Sequence, residues 1–189
     1  MNTDFSVTNY LSAHAQLSQR LDVRSFERGV EMVRKAFESG KKILTCGNGG
    51  SASTASHYIT DWNKMVNLAT GRKFRGVCLT DNIGLVTAYG NDLSYSDVFA
   101  GQVDALMDSG DLLVAVSGSG NSPNVLKAVE SARRAGGKVL GVVGYDGGRL
   151  KPICDHAVWV ESWDMQLCED VHLMFGHMVM KTLCNSAIR

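Results

Sequence analysis

Five short apolar runs, each followed by a turn and then by a helical pattern, constrain the fold of this chain most. They are Lys42 to Cys46 (KILTC), Phe74 to Leu79 (FRGVCL), Leu112 to Val116 (LLVAV), Lys138 to Val143 (KVLGVV) and His156 to Val160 (HAVWV). Runs of this length between polar residues read as strands. LLVAV has no polar position, as a strand covered on both sheet faces requires. Residues 51–66, 82–89, 95–107 and 123–135 carry helical character, Gly90-Asn91-Asp92 separating the middle two. Pro123 suits a first helical position and Gly136-Gly137 a helix end. A long helix over about 164–183 closes the chain. This alternation predicts an α/β fold, a three-layer doubly wound five-stranded parallel sheet that binds ligands at its strands' C-terminal ends.

Two helical segments precede the first strand. Residues 5–22 are weakly patterned. In the second, Ser25 is an N-cap candidate, Phe26, Val30, Val33 and Phe37 recur at helical spacing, and Gly40 stands at the C′ position. A minimal α/β unit has no use for them, so they are expected to serve packing or subunit contact. The 189 residues then form one domain, with a helical oligomerisation element over 1–40 and an α/β core over 41–189.

Charge narrows the partners. With 19 basic and 19 acidic residues the formal net charge is zero, which argues against a surface built for nucleic acid or anionic membrane. The opening MNTDFSVTNYLSAH has neither a basic region nor a continuous apolar run, and no stretch approaches the ~18 apolar residues of a membrane span. The five cysteines (Cys46, Cys78, Cys154, Cys168, Cys184) lack C-x-x-C spacing and are expected to be reduced and buried. A cytoplasmic protein is the expectation.

The chemistry starts at Cys46-Gly-Asn-Gly-Gly-Ser-Ala-Ser-Thr-Ala-Ser-His57. A strand runs into Gly47, Gly49 and Gly50, and a helix follows with Ser51 or Ser53 as N-cap candidates. Free N–H groups and the positive end of the helix dipole meet there, which makes an anion site. One turn on, His57 and Asp61 share a helix face about 6 Å apart. Such a pair can bind a metal, move a proton or be a solvated surface pair.

Ser117-Gly118-Ser119-Gly120-Asn121-Ser122 repeats the arrangement after the third strand, with three hydroxyls and accessible N–H groups. Two such loops in one sheet point to an anionic ligand, phosphate above all. Gly47 to Ala52 also fits the dinucleotide fingerprint G-x-G-x-x-A, but the first strand-end acid is Asp81, and the fingerprint leaves the serine loop unexplained. In the last helix Glu169, Asp170, His172 and His177 interrupt a stretch whose Met174, Phe175, Met178 and Met180 read as core. Glu169 and His177 are two turns apart, about 12 Å of rise. One ion joins them only if their side chains converge or a neighbouring subunit supplies one.

Taken together, Gly47 to Ser51, Asn91-Asp92, Ser117 to Ser122 and the helix Glu169…His177 resemble the sugar-isomerase (SIS) domain, and more narrowly bacterial phosphoheptose isomerases. The resemblance covers nearly the whole chain. It implies a homotetramer with active sites at subunit interfaces, converting sedoheptulose 7-phosphate into D-glycero-D-manno-heptose 7-phosphate. By resemblance, Asn48, Gly49, Gly50 and Ser51 form the first substrate loop, Asn91 and Asp92 the second contact, and Ser117, Gly118, Ser119 and Ser122 the phosphate loop. The resemblance also implies a Zn2+ ion on His57, Asp61, Glu169 and His177. Asp61 would act as base and His177 as acid, with Glu169 contacting substrate and sharing the proton shuttle. This chain departs from the family pattern at Asp61, usually Glu, at Glu169, usually Gln, and at Gln166, usually Asp.

Overall fold

The computed structural model describes residues 6–185. The first helix, α1, spans Val7–Arg20 and is capped by Ser6, whose Oγ accepts the Asn9 N–H. Its expected start at residue 5 lies outside the described residues. Helix α2 spans Val23–Glu38 and is capped by Asp22, not Ser25: the Asp22 carboxylate accepts the Ser25 N–H at 3.2 Å. An acid at that position satisfies a first-turn donor and also meets the helix dipole. The Ser25 hydroxyl turns instead to the sheet and donates to the Ala157 carbonyl.

The α/β part follows in the expected order. β1 is Lys42–Cys46, α3 Gly50–Asp61, α4 Asn67–Thr70, β2 Arg75–Cys78, α5 Ile83–Asp92 and α6 Ala100–Leu106. Then come β3 (Leu112–Ser117), α7 (Pro123–Arg134), β4 (Lys138–Val143), β5 (His156–Trp159) and α8 (Met165–Asn185). Three stretches differ from the sequence reading. The helix expected over 51–66 is α-helical to Asp61 and then widens into a π-turn, Trp62–Val66. Bonds from outside hold that turn: Trp62 Nε1 donates to the Gly176 carbonyl, and the Asn63 amide brackets the backbone of Gly76. Gly90, Asn91 and Asp92 are the last turn of α5, not a spacer. The helix expected over 95–107 is a 3₁₀ turn at Tyr95–Asp97 followed by the shorter α6.

All strands are parallel, in the order β2-β1-β3-β4-β5. Residues of the central strand alternate between two apolar layers. Leu112, Val114 and Val116 join Ile43, Leu140 and Val142 under α2, α3 and α8. Leu113 and Ala115 join Leu44, Val139 and Val143 under α6 and α7. This is the three-layer α/β sandwich that LLVAV required. The chain leaves β1 outward to β2 and returns to β3 on the other side, so the strand order reverses between β1 and β3. The crevice at such a switch point is where open α/β sheets bind ligands.

Candidate active site at the switch point

Because β1 and β3 are neighbours, the loops that leave them lie side by side. Gly49 is the N-cap of α3, at φ 54° and ψ −124°, a backbone conformation that a side chain would strain. Ser51 and Ser53 therefore do not cap the helix. Among the described residues no side chain caps its first turn; Ala52 and Ser53 N–H donate to the Asn48 and Gly49 carbonyls, and the Gly50 and Ser51 N–H groups remain for a ligand. Asn48 is fixed by a reciprocal amide pair with buried Asn124, at 2.9 Å in each direction, and by the Tyr95 hydroxyl, which donates to its Oδ1 at 3.0 Å. The first loop is thus tied through side chains to the first turn of α7 and to the 3₁₀ turn at Tyr95.

In the serine loop, Ser117 Oγ accepts the Gly120 N–H and stands 3.4 Å from Ser122 Oγ. Ser119 Oγ accepts the Asn121 N–H. Ser122 occupies the N-cap position of α7 without bonding to its backbone, so its hydroxyl, in contact with that of Ser117, stands at the helix N-terminus where an anion would meet it. The Gly118 carbonyl accepts the Gly144 N–H, which anchors the loop to the end of β4.

Helices α3 and α8 pack side by side, and a glycine sets their separation. A Cβ on Gly176 would lie 2.2 Å from the Tyr58 ring. Tyr58 cannot retreat: it is fully buried, stacks on Trp62, and donates its hydroxyl to the His172 carbonyl. Close approach at Gly176 brings the adjacent His177 onto α3. His57 Nε2 and His177 Nε2 are 3.1 Å apart, and Asp61 Oδ2 lies 3.4 Å from the first and 3.8 Å from the second. His57 is exposed while Asp61 and His177 are half-buried, so the group opens to solvent.

That geometry fits a zinc ion. Ligands at about 2.0–2.2 Å from tetrahedral zinc stand about 3.3–3.6 Å from one another, close to the three separations here, and two imidazoles plus a carboxylate leave a fourth position open for chemistry. Glu169 is not in this group. Its carboxylate packs against Gly50, where a Cβ would lie 2.3 Å from Glu169 Oε1, at the N-terminal end of α3. From Gly50 to His57 the helix rises about 10 Å. The structure therefore brings together His57, Asp61 and His177, and places Glu169 against Gly50 at the first glycine-rich loop.

Asn91 donates to the Asp92 carboxylate at 2.9 Å in the last turn of α5, just before the Tyr95 that bonds Asn48. Asn124, Tyr95 and Gly176 escaped the sequence reading. Only Gly176 left a signal there, as an isolated glycine inside a helical pattern. His172, one turn from Glu169, is buried, and among the described residues neither of its ring nitrogens has a hydrogen-bond partner; burial pushes its pKa down to about 4.

A parallel five-stranded sheet with serine- and glycine-rich loops at its switch point defines an α/β domain of the kind that takes an anionic ligand there. The SIS-domain family model matches residues 9–144, and the chain belongs to that family. Within it the chain is similar to phosphoheptose isomerases. It is 38% identical over 182 residues to the Campylobacter concisus phosphoheptose isomerase, covering 95% of this chain and 94% of that protein. The phosphoheptose isomerase structure from Neisseria gonorrhoeae superposes with a TM-score of 0.87 at 30% identity, covering 94% of this chain and 96% of the other. The Francisella tularensis phosphoheptose isomerase gives 0.88 at 26% identity, with coverage of 95% and 96%. The chain is an isomerase by this kinship.

Proposed function

We propose that this protein interconverts sedoheptulose 7-phosphate and D-glycero-D-manno-heptose 7-phosphate through an enediol. The observation that carries the reading is the meeting of His57, Asp61 and His177 between α8 and the helix that starts at the first loop, in a chain similar over nearly its full length to phosphoheptose isomerases. The sugar phosphate lies across the switch point. Ser117, Gly118, Ser119 and Ser122 take the phosphate at the N-terminus of α7, and Asn48, Gly49, Gly50 and Ser51 take the sugar end, with Asn91 and Asp92 as a further contact.

Asp61 removes the proton from C1 of the ketose while His177 protonates the carbonyl oxygen at C2. Asp61 then returns its proton to C2, and the hydroxyl on C1 gives its proton to His177, so the sugar is isomerised with all atoms conserved. Asp61 Oδ2 faces both histidines, which leaves Oδ1 for the substrate proton. His57, Asp61 and His177 are the residues that would hold zinc, which when bound polarises the carbonyl and stabilises negative charge on its oxygen. Glu169 accepts hydrogen bonds from sugar hydroxyls, a role supported by the approach of its carboxylate to Gly50.

The working unit is a homotetramer in the cytoplasm. Supporting the tetramer, α1 exposes Val7 and Leu11 on one face, and Ile83 and Leu93 stand exposed on and beside α5, apolar surface that a second copy would cover. Among the described residues no helix is long and apolar enough to cross a membrane.

The test is to follow aldose formation from sedoheptulose 7-phosphate by NMR, with chelator-treated and zinc-restored protein. Turnover lost on chelation and recovered with zinc is expected. Turnover indifferent to chelation would remove the metal from the reading. Neither turnover nor substrate-dependent thermal stabilisation would sink it.

A further inference from the structure

The serine loop offers only hydroxyls and N–H groups to a phosphate that carries nearly two negative charges at neutral pH. The turn after β4 lies against this loop and carries a cation, Arg149. Residues 144–150 interlock with the serine loop, backbone against backbone. Leu150 N–H donates to the Gly120 carbonyl at 2.9 Å, Gly144 N–H to the Gly118 carbonyl at 2.9 Å, and Arg149 N–H to Asn121 Oδ1 at 3.1 Å. The contact is too close for side chains. A Cβ on Gly120 would lie 2.1 Å from the Gly147 carbonyl oxygen, and one on Gly148 would lie 2.3 Å from that of Ser119. All three glycines have left-handed backbone, with φ of 64°, 87° and 51° at Gly120, Gly147 and Gly148.

This double turn holds Arg149 beside the loop. Leu150, fully buried, pins the turn from below, and Tyr145, at φ 50°, pins it at the other end by donating its N–H to the Ser162 carbonyl. The Arg149 side chain is exposed, and among the described residues its guanidinium makes no hydrogen bond or ion pair. Neighbouring cations are spoken for: Lys151 sits over the Trp159 ring at 3.1 Å and Lys127 pairs with Asp97 at 2.5 Å. The acid in the turn, Asp146, accepts the Gly148 N–H at 2.9 Å.

We propose that Arg149 is the cation of the phosphate subsite, closing over the serine loop to pair with the phosphate of the sugar. The assignment rests on the isomerase reading for the identity of the sugar, but not for the anion. A guanidinium can bond two phosphate oxygens at once and, held by a rigid turn, loses little freedom in doing so. Its contact is the same in the bound substrate and in the transition state, so it contributes to KM and not to kcat.

Arg149→Gln is expected to raise KM for sedoheptulose 7-phosphate about tenfold with kcat retained, the size of one charge-assisted contact at a solvated site. Competitive inhibition by inorganic phosphate should weaken by the same factor, Arg149→Lys should fall between, and the urea midpoint should not move. KM and the inhibition constant for inorganic phosphate both within twofold of the parent would overturn the proposal, as would a fall in kcat at unchanged KM. Should the parent not turn over this sugar at all, thermal stabilisation by inorganic phosphate remains the readout. Its loss in Arg149→Gln supports the subsite, and its persistence refutes it.

Discussion

Replacing Gly176 by Ala isolates the contact on which the histidine pair depends. The new Cβ would sit 2.2 Å from Tyr58 Cδ1 and 2.3 Å from Cε1, whereas carbon atoms rest at about 3.5–4.0 Å, so the ring and α8 must separate by more than about 1 Å. Tyr58 is held by its hydroxyl bond to His172 and by its stack on Trp62, whose Nε1 itself bonds the Gly176 carbonyl. The strain therefore passes to the helices, and the 3.1 Å approach of His57 to His177 widens. Overpacking costs about 1–3 kcal/mol, and alanine recovers about 1 kcal/mol of helix propensity, so a net loss of about 0–2 kcal/mol is expected in urea unfolding. A displacement near 1 Å at the reacting groups costs about 100-fold in rate. The combination to look for is a folded variant with turnover down about two orders of magnitude and weakened zinc binding by calorimetry. Parental turnover and zinc affinity in Gly176→Ala would refute the argument that this glycine sets the site.

The remaining expectations concern buried polar groups. His172 has a folded pKa near 4 against 6.5 in the unfolded chain, so the unfolded state binds the extra proton between those values. Its contribution is complete above pH 6.5 and is lost as pH falls towards 4, reaching about 3 kcal/mol. Urea unfolding of His172→Gln should show a shallower decline between pH 6.5 and 4 than the parent, and identical slopes would refute this. Asn124→Ala removes both amide bonds to Asn48 and leaves a cavity, with an expected loss of about 1–3 kcal/mol and a higher KM. Unchanged KM would show that the amide pair does not hold the substrate loop.

What the chain reveals on its own is local in origin. LLVAV needs cover on both faces, Gly40 and Gly136 end helices, and Pro123 starts one, because these follow from burial and backbone freedom of a few consecutive residues. The two loops were legible for the same reason, since strand, glycines and helix start lie within a dozen positions. Cap assignments at Ser25 and at Ser51 or Ser53 went astray because Asp22 and Gly49 take the role, Asp22 through its carboxylate and Gly49 through its positive φ, while the Ser25 hydroxyl finds its partner across the fold at Ala157. The π-turn at Trp62–Val66 is also tertiary, held by bonds to Gly176 and Gly76 from elsewhere in the chain.

The site shows the same division. His57 and Asp61 are neighbours by helix geometry alone, whereas their union with His177, 120 residues away, depends on how closely α3 and α8 approach. That distance is decided by the missing side chain of Gly176 against Tyr58, a pairing no spacing rule encodes. The sequence by itself determined the sheet, its two loops and the kinds of residue that could act there. Only the tertiary structure decided which of them meet, placing His177 with His57 and Asp61 and Glu169 with Gly50, because side-chain convergence depends on packing between segments remote in the chain.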